Sequence, residues 1–259
     1  METKEPVIAE HSQGDNHRPP VAASVLAGET LHDFVVAEVR DMIVGGELAG
    51  GSHIPERAIC ERLQISRTPL REAYKVLASE GLLTLQRNRG AIITRLSLQD
   101  VEDAMEVLGA LEALAAEHLC ARITDAGILE IEEIHKKMVA HYRAGERLDY
   151  FKANQSIHNA IVENSGNHIL AQTHHQIGNR VRRFRFAGNQ EPSRWDRAVK
   201  EHEQILWSIQ DRDGSLLSQI LRRHIRNGWV IVKDRFRDEL GSEDASPPKR
   251  RRARRAKAG

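Results

Sequence analysis

The fold of this chain is decided by one stretch of its sequence, ISRTPLREAYKVLASEGLL, at residues 65–83. Ser66 is a residue type that caps helix N-termini, and Pro69 falls in the first turn, where its missing N–H is no loss. Apolar residues then recur at helical spacing, at Leu70, Ala73, Tyr74 and Leu77. The stretch therefore predicts a helix that begins at Ser66, buries one face and ends at Gly81.

The other face of this helix is basic. Arg67, Arg71 and Lys75 recur every four residues and form one stripe. Ser66, Arg67 and Thr68 stand at the helix start, where short donors and exposed N–H groups suit contact with phosphate. Arginine also fits the major-groove edge of guanine with two hydrogen bonds. Taken alone, the stripe is more typical of an ordinary solvated helix face, so its surroundings decide between the two interpretations.

The surrounding residues complete a winged helix-turn-helix. A helix from about residue 30 to Val44 comes first, and a second helix opens at Pro55 and runs to the turn at Gln64. Downstream, two β-prone runs at 83–85 and 91–94 flank a basic hairpin tip, with Arg87, Asn88 and Arg89. Arg57, Arg87 and Arg89 would extend a DNA footprint to the backbone. Residues 57–89 hold seven Lys and Arg against three Glu, so we predict a DNA-binding domain over residues 30–96.

The remainder of the chain predicts helices only. The 259 residues are 40% hydrophobic and 4% aromatic, a composition that favours helices over sheets. Helical periodicity from Ser97 onward, broken at short intervals, predicts six helices in an all-α antiparallel bundle over residues 97–240. We therefore expect a mainly α protein. With no apolar run long enough to span a membrane and no signal-peptide pattern, we expect a cytoplasmic protein.

Both ends of the chain differ from this body. Residues 1–29 are polar and aperiodic, which predicts a flexible arm. Residues 241–259 predict a disordered basic tail, whose last eleven residues hold seven positive charges. The whole chain has a net charge of +1, so without these seven charges the rest of the chain would have a net charge of −6. The tail could attract DNA phosphates or serve only as a solubilising end.

Three histidines of the helical half lie on otherwise apolar helix faces, at positions 158, 202 and 224. Asn154 precedes His158 by one helical turn, so both side chains point the same way. Neutral imidazole is a common ligand for zinc, nickel and related divalent ions, which three converging rings would hold. For any one of His158, His202 and His224, an ordinary core histidine is the alternative.

The stretch 65–83, with the wing RNRGAIIT after it, resembles the signature of the GntR superfamily of regulators. The resemblance covers residues 34–96 and implies that operator DNA is contacted by a defined set of residues: Arg57, Ser66, Arg67, Thr68, Arg71, Arg87, Asn88 and Arg89. Gln64 replaces a glycine that is usual in the turn, and we expect it to adopt a left-handed conformation at a cost of about 1 kcal/mol.

Residues 98–236 resemble the FadR-type C-terminal effector domain of the same superfamily. The resemblance rests on Asn154, His158, Glu201-His202 and His224, and it implies a divalent metal ion, zinc or nickel, held by Asn154, His158, His202 and His224. Leu108 stands where relatives often have an arginine that would bind an acidic effector. Arg180 and Arg183 are candidates to replace it, although a solvated helix face explains them equally well.

These observations together predict a regulator of a metabolic operon, with repression the expected polarity. We expect it to bind palindromic operator DNA as a homodimer and to respond to a small organic acid beside the metal. A metal-dependent enzyme that uses the three histidines is one alternative. A regulator whose metal is purely structural is another.

Overall fold

The computed structural model describes residues 30–87, 89–188 and 192–241, and of these the side chains of 192–193 and 238–241 are left out. Its first domain begins with three helices: α1 (Leu31–Val44), α2 (Glu56–Leu63) and α3 (Arg67–Ser79). Strands β1 (Leu83–Gln86) and β2 (Gly90–Ile93) follow as an antiparallel pair, in which Leu83 lies opposite Ile93. This is a winged helix-turn-helix whose core packs the inner faces of the helices against one side of the wing.

The tight turn between α2 and α3 depends on a left-handed residue. Gln64 has φ 54° and ψ 43°, and its N–H is hydrogen-bonded within the last turn of α2. This confirms the left-handed conformation expected there, which glycine adopts at no steric cost and other residues do not. Ser66 is the N-cap of α3, as the sequence predicts, but its side chain makes no capping hydrogen bond.

The second domain is a helical bundle. Within the described residues it contains six helices: α4 (Leu98–Cys120), α5 (Asp125–Ala144), α6 (Arg147–Glu163), α7 (His168–Gly188), α8 (Pro192–Gln210) and α9 (Gly214–Gly241). Ser97 opens α4 with a reciprocal capping box to Asp100, and Gly145 ends α5 in a left-handed conformation. One large apolar cluster fills the bundle. Among the described residues, no helix is both long and apolar enough to cross a bilayer.

The two domains contact each other through α1, α6 and α7. Val44 of α1 packs in a small cluster with Phe151 of α6 and Phe186 of α7, and Lys152 forms an ion pair with Asp41 at 2.5 Å. Arg180 approaches Gly81 closely, because a Cβ on that glycine would lie 2.8 Å from the Arg180 Cγ. Helices of the bundle therefore touch the DNA-binding domain directly.

Candidate DNA interface and metal centre

Helix α3 separates a buried face from a solvent-exposed face. Leu70, Ala73, Tyr74 and Leu77 are at most 1% exposed. The opposite face carries the predicted DNA contacts, and all of them are exposed: Ser66, Arg67, Thr68 and Arg71, together with Lys75. Because Ser66 does not cap the helix with its side chain, the first N–H groups of α3 have no partner from that side chain and suit a phosphate oxygen.

The other predicted contacts lie on either side of α3. Arg57 is on α2, with its side chain 86% exposed. Arg87 and Arg89 are exposed at the wing, whereas Asn88 lies outside the described residues. The predicted DNA contacts within the described residues are therefore all solvent-exposed. They lie on α2, on α3 and at the wing.

Two of these arginines and Lys75 form ion pairs. Arg57 Nε donates to Glu61 at 2.7 Å, and Lys75 Nζ donates to Glu72 at 2.8 Å. Arg71 Nη2 donates to Glu56 Oε2 at 3.2 Å. The pairs of Arg57 and Lys75 are exposed on both sides and contribute little to stability. The Arg71 pair differs, because the Glu56 side chain is only 17% exposed.

In the helical domain, His158, His202 and His224 converge. Their ring centroids lie 4.8–5.2 Å apart, and one nitrogen of each lies within 4.8 Å of the others. His158 and His202 are 0% exposed and His224 is 6% exposed. The rings come from α6, α8 and α9, so the cluster exists only when the bundle is packed.

Two buried carboxylates orient two of the rings. His158 Nδ1 and Glu112 Oε2 are 2.7 Å apart, and Glu112 Oε1 lies 3.0 Å from His174 Nε2. His224 Nδ1 and Glu201 Oε2 are also 2.7 Å apart. An imidazole that donates one N–H to a carboxylate turns its other nitrogen towards a metal, as in the carboxylate–histidine pairs of zinc sites.

Two buried ring nitrogens of the cluster have no hydrogen-bond partner. His158 Nε2 and His202 Nδ1 are buried without a hydrogen-bond partner. Asn154 Nδ2 lies 2.6 Å from His202 Nε2, while Asn154 Oδ1 accepts from Gln155 at 3.0 Å. A half-turn of the Asn154 amide would exchange its oxygen and nitrogen. Buried polar atoms are rarely left without a partner, and a cation at the centre would provide one.

Burial controls the charge of these groups. It lowers the pKa of His158 to about 4, against the opposing charge of Glu112, and it also lowers the pKa values of His202 and His224. For Glu112, burial alone would raise the pKa, but its contacts with His158, His174 and Arg185 hold the pKa well below its usual range. The cluster therefore pairs neutral imidazoles with ionised carboxylates, the forms that bind a divalent cation.

A cavity of about 30 Å³ adjoins the cluster. Its wall includes His224, Asn154 and two cationic side chains, Arg185 and Arg194. Arg194 is paired with Glu201 at 2.8 Å. Arg185, whose side chain is 8% exposed, lies 3.9 Å from Glu112, a longer contact than the pair of Arg194. Burial lowers the pKa of Arg185 against the charge of Glu112, and its charge is the less compensated of the two.

Arg180 and Arg183 do not lie at this cavity, which corrects the prediction that they replace the missing effector arginine beside the metal. They line a separate cavity of about 220 Å³ between the two domains. The reason is helical periodicity: Arg185 is about three turns beyond His174 and shares its inward face, whereas Arg183 points to nearly the opposite side. Leu108 is 0% exposed in an apolar cluster, so it brings no charge to the cavity.

Sequence reasoning missed several residues of this site. His174, which no pattern in the sequence singles out, is 2% exposed and hydrogen-bonded to Glu112. Glu112 itself gives a signal that could be used, because it follows Leu108 by four residues and so lies on the buried face of α4. No local pattern distinguishes Arg185 from its neighbours Arg182 and Arg183, since only the packing of α7 shows which one faces the histidines.

An exposed basic helix in a winged helix-turn-helix, joined to a helical bundle, is the architecture of a transcription regulator that binds DNA through its first domain. Residues 31–93 match the family described as bacterial regulatory proteins, gntR family, and residues 103–227 match the FCD domain. The chain belongs to the GntR family of transcriptional regulators, in the FadR-type group that pairs these two domains.

Individual relatives agree with this assignment. The HTH-type transcriptional repressor RspR of Escherichia coli is 24% identical over 73% of this chain and 82% of its own length. A probable D-xylose utilization operon transcriptional repressor of Paenarthrobacter nicotinovorans is 28% identical over 75% and 84%. The solved structure of E. coli McbR/YncC superposes with a TM-score of 0.69 at 18% identity, over 80% of this chain and 99% of that one, which shows a shared fold. The two sequence relatives are named as transcriptional repressors, which agrees with the family to which the chain belongs.

Proposed function

We propose that this protein is a homodimeric repressor that binds a palindromic operator. Its affinity for the operator is controlled by a small carboxylate that binds beside a divalent metal ion. It works on chromosomal DNA in the cytoplasm. The observation that carries the proposal is the cluster of buried histidines, with unpartnered nitrogens and carboxylate partners, beside a buried and poorly compensated guanidinium in Arg185.

The DNA-reading residues are proposed to be those of the exposed surface: Arg57, Ser66, Arg67, Thr68, Arg71, Arg87 and Arg89, with Asn88 from the sequence pattern. Arg71 stands in the middle of α3 and suits a guanine edge, while the helix start and the wing suit phosphates. Because one winged helix reads only a few base pairs, two copies on an inverted repeat give the needed specificity.

Dimerisation is proposed to use the helical domain. Val107 and Leu114 are 45% and 44% exposed on α4. They are separated by two helical turns and so lie on one stripe. Exposed apolar side chains at this spacing suit a symmetric contact with a second copy of the chain.

The metal is proposed to be bound by His158, His202 and His224 through ring nitrogens, with Asn154 Oδ1 as a fourth ligand. The donor set fits, because three imidazoles and one oxygen suit zinc or nickel, and Glu112 and Glu201 hold two of the rings in place. A bound ion would supply positive charge to the wall of the cavity.

The effector is proposed to be a small carboxylate. Arg185 offers a fork of donors that matches a carboxylate in two hydrogen bonds. The cavity of about 30 Å³ has room for roughly one or two water-sized groups, so a carboxylate of a few carbon atoms enters it only if α7 moves. Helix α7 carries Arg185 towards the cavity and Arg180 towards Gly81, so a shift of α7 would reach the end of α3. Such coupling is typically worth about 1–3 kcal/mol.

A DNA selection followed by binding assays tests the proposal. Purified protein is incubated with random-sequence duplexes at moderate salt, and the recovered sequence is used as the probe. We expect Arg71→Ala to weaken binding to that probe at least about fivefold, since an arginine–guanine pair contributes about 1–3 kcal/mol and about 1.4 kcal/mol is tenfold. Arg62→Ala is the matched control, because Arg62 is 55% exposed on α2 and pairs with Glu47 away from the proposed interface.

The effector arm adds acetate, lactate or malate to zinc-loaded protein on the same probe. At least one of these acids is expected to change the affinity for DNA, and a chelator is expected to abolish the change. If the chelator lowers the melting temperature but no acid in a wider panel alters DNA binding, the metal is structural only.

A further inference from the structure

The ion pair of Arg71 joins three elements of the DNA-binding domain. Arg71 is on α3, whereas its partner Glu56 is the first residue of α2. Gly90, the first residue of β2, lies against the same carboxylate, because a Cβ there would be 2.9 Å from Glu56 Oε1. The carboxylate is thus enclosed by α3, by α2 and by the wing.

The surroundings of Glu56 fix its carboxylate in position. Its side chain is 17% exposed while that of Arg71 is 56% exposed, so the acid forms the rigid side of the pair. Glu56 Oε1 and the Tyr74 hydroxyl are both buried without a hydrogen-bond partner. Burial, followed by the charge of Glu56, raises the pKa of Tyr74, which indicates that these two groups are neighbours.

We infer that Glu56 is a positioning residue for base reading, which holds the Arg71 guanidinium in the orientation that contacts a base edge. This inference rests on the proposed DNA contact of Arg71. An arginine side chain loses up to about 2 kcal/mol of rotamer freedom when it is immobilised. An acid that already holds one Nη group removes part of that cost before DNA arrives. The remaining N–H groups stay available for the two acceptors of guanine.

The role of Glu56 has a distinctive signature, because its charge and its positioning act in opposite directions. A carboxylate at a DNA-binding surface repels phosphates, so its removal should strengthen binding to any duplex. Loss of positioning should instead weaken binding to the one sequence that Arg71 reads. A simple charge effect therefore cannot imitate the predicted result.

The chain offers a matched control in Glu61. It lies on the same helix as Glu56 and pairs with another proposed contact, Arg57, at 2.7 Å. Both side chains of that pair are exposed, at 86% and 64%, and an exposed pair restrains its members little. Glu61→Gln removes the same charge without removing a buried anchor.

The experiment measures the affinity of full-length Glu56→Gln, Glu61→Gln and Arg71→Ala for the selected duplex and for a scrambled duplex, by fluorescence anisotropy. We expect Glu56→Gln to lose about tenfold on the selected duplex, by analogy with one disrupted base contact, and to bind the scrambled duplex equally or more tightly. Glu61→Gln should bind both duplexes equally or more tightly. A double variant of Glu56→Gln and Arg71→Ala should be no less specific than Arg71→Ala alone.

A second variant and a second readout separate positioning from loss of structure. Glu56→Asp keeps the charge but withdraws the carboxylate from Arg71, and it should also lose specificity while it melts near the wild-type temperature. Repeating the selection with Glu56→Gln should relax the same base pair that Arg71→Ala relaxes. If Glu56→Gln keeps the wild-type ratio of affinities, or relaxes other base pairs, this inference is overturned. If the wild-type protein shows no sequence preference, the proposed function fails with it.

Discussion

Replacing Glu112 by Gln should weaken metal binding without unfolding the bundle. Glu112 is 0% exposed and accepts hydrogen bonds from His158 at 2.7 Å and His174 at 3.0 Å. Glutamine has the same shape but only one acceptor oxygen, so one imidazole N–H would face an NH₂ donor instead. The remaining amide also lacks the charge that makes the His158 ring a stronger ligand.

The expected size follows from how such carboxylates act. Loss of a carboxylate that orients a metal-binding histidine typically costs about 10–100-fold in affinity, or about 1.4–2.7 kcal/mol. The assay is a zinc titration in competition with a chromophoric chelator at pH 7, with circular dichroism to verify the fold. Glu133→Gln is the control, because Glu133 is an exposed acid of α5 that pairs with Lys136.

The result that would refute this reasoning is equally specific. A folded Glu112→Gln protein that binds zinc within twofold of the wild-type affinity would mean that Glu112 does not orient a ligand. If the wild-type protein itself binds no zinc in this titration, the histidine cluster is a packed core feature, and the metal has to be removed from the proposed mechanism.

Three further changes test other parts of the account. Gln64→Gly should stabilise the protein by up to about 1 kcal/mol in urea unfolding, because glycine removes the left-handed strain; Gln64→Ala, which keeps the Cβ, should give no such gain. Leu114→Glu should shift the protein from dimer to monomer in sedimentation experiments, whereas Leu129→Glu, at a leucine 60% exposed elsewhere on the bundle, should not; a Leu114→Glu dimer would rule out the proposed contact. Arg185→Met should abolish the thermal stabilisation that an effective carboxylate gives to the zinc-loaded protein, and an unaltered shift would exclude Arg185 as its partner.

The DNA-binding domain could be predicted in detail because its signals are local. The spacing of Leu70, Ala73 and Tyr74, the cap at Ser66 and the glycine at Gly81 each report on residues a few positions away. The left-handed conformation of Gln64 was expected only from the family resemblance, in which a glycine is usual at this turn. The full set of DNA-contacting positions came from the family resemblance, because helical periodicity alone does not show which exposed residues contact DNA.

The metal and effector site was predictable only in part. His158, His202 and His224 stand out because histidine is unusual on an apolar face, and the packed bundle brings all three together. Arg185 was missed in favour of Arg180 and Arg183, because all of these arginines have similar neighbours in sequence. Which arginine faces the cavity depends on the rotation of α7 against α4 and α6, a property of tertiary packing.

The most direct test of the central claim is the selection of random-sequence duplexes by the purified protein at moderate salt. The account predicts an enriched inverted repeat, with two half-sites about one or two helical turns apart, and loss of that enrichment in Arg71→Ala. A recovered pool as random as the starting library would contradict it.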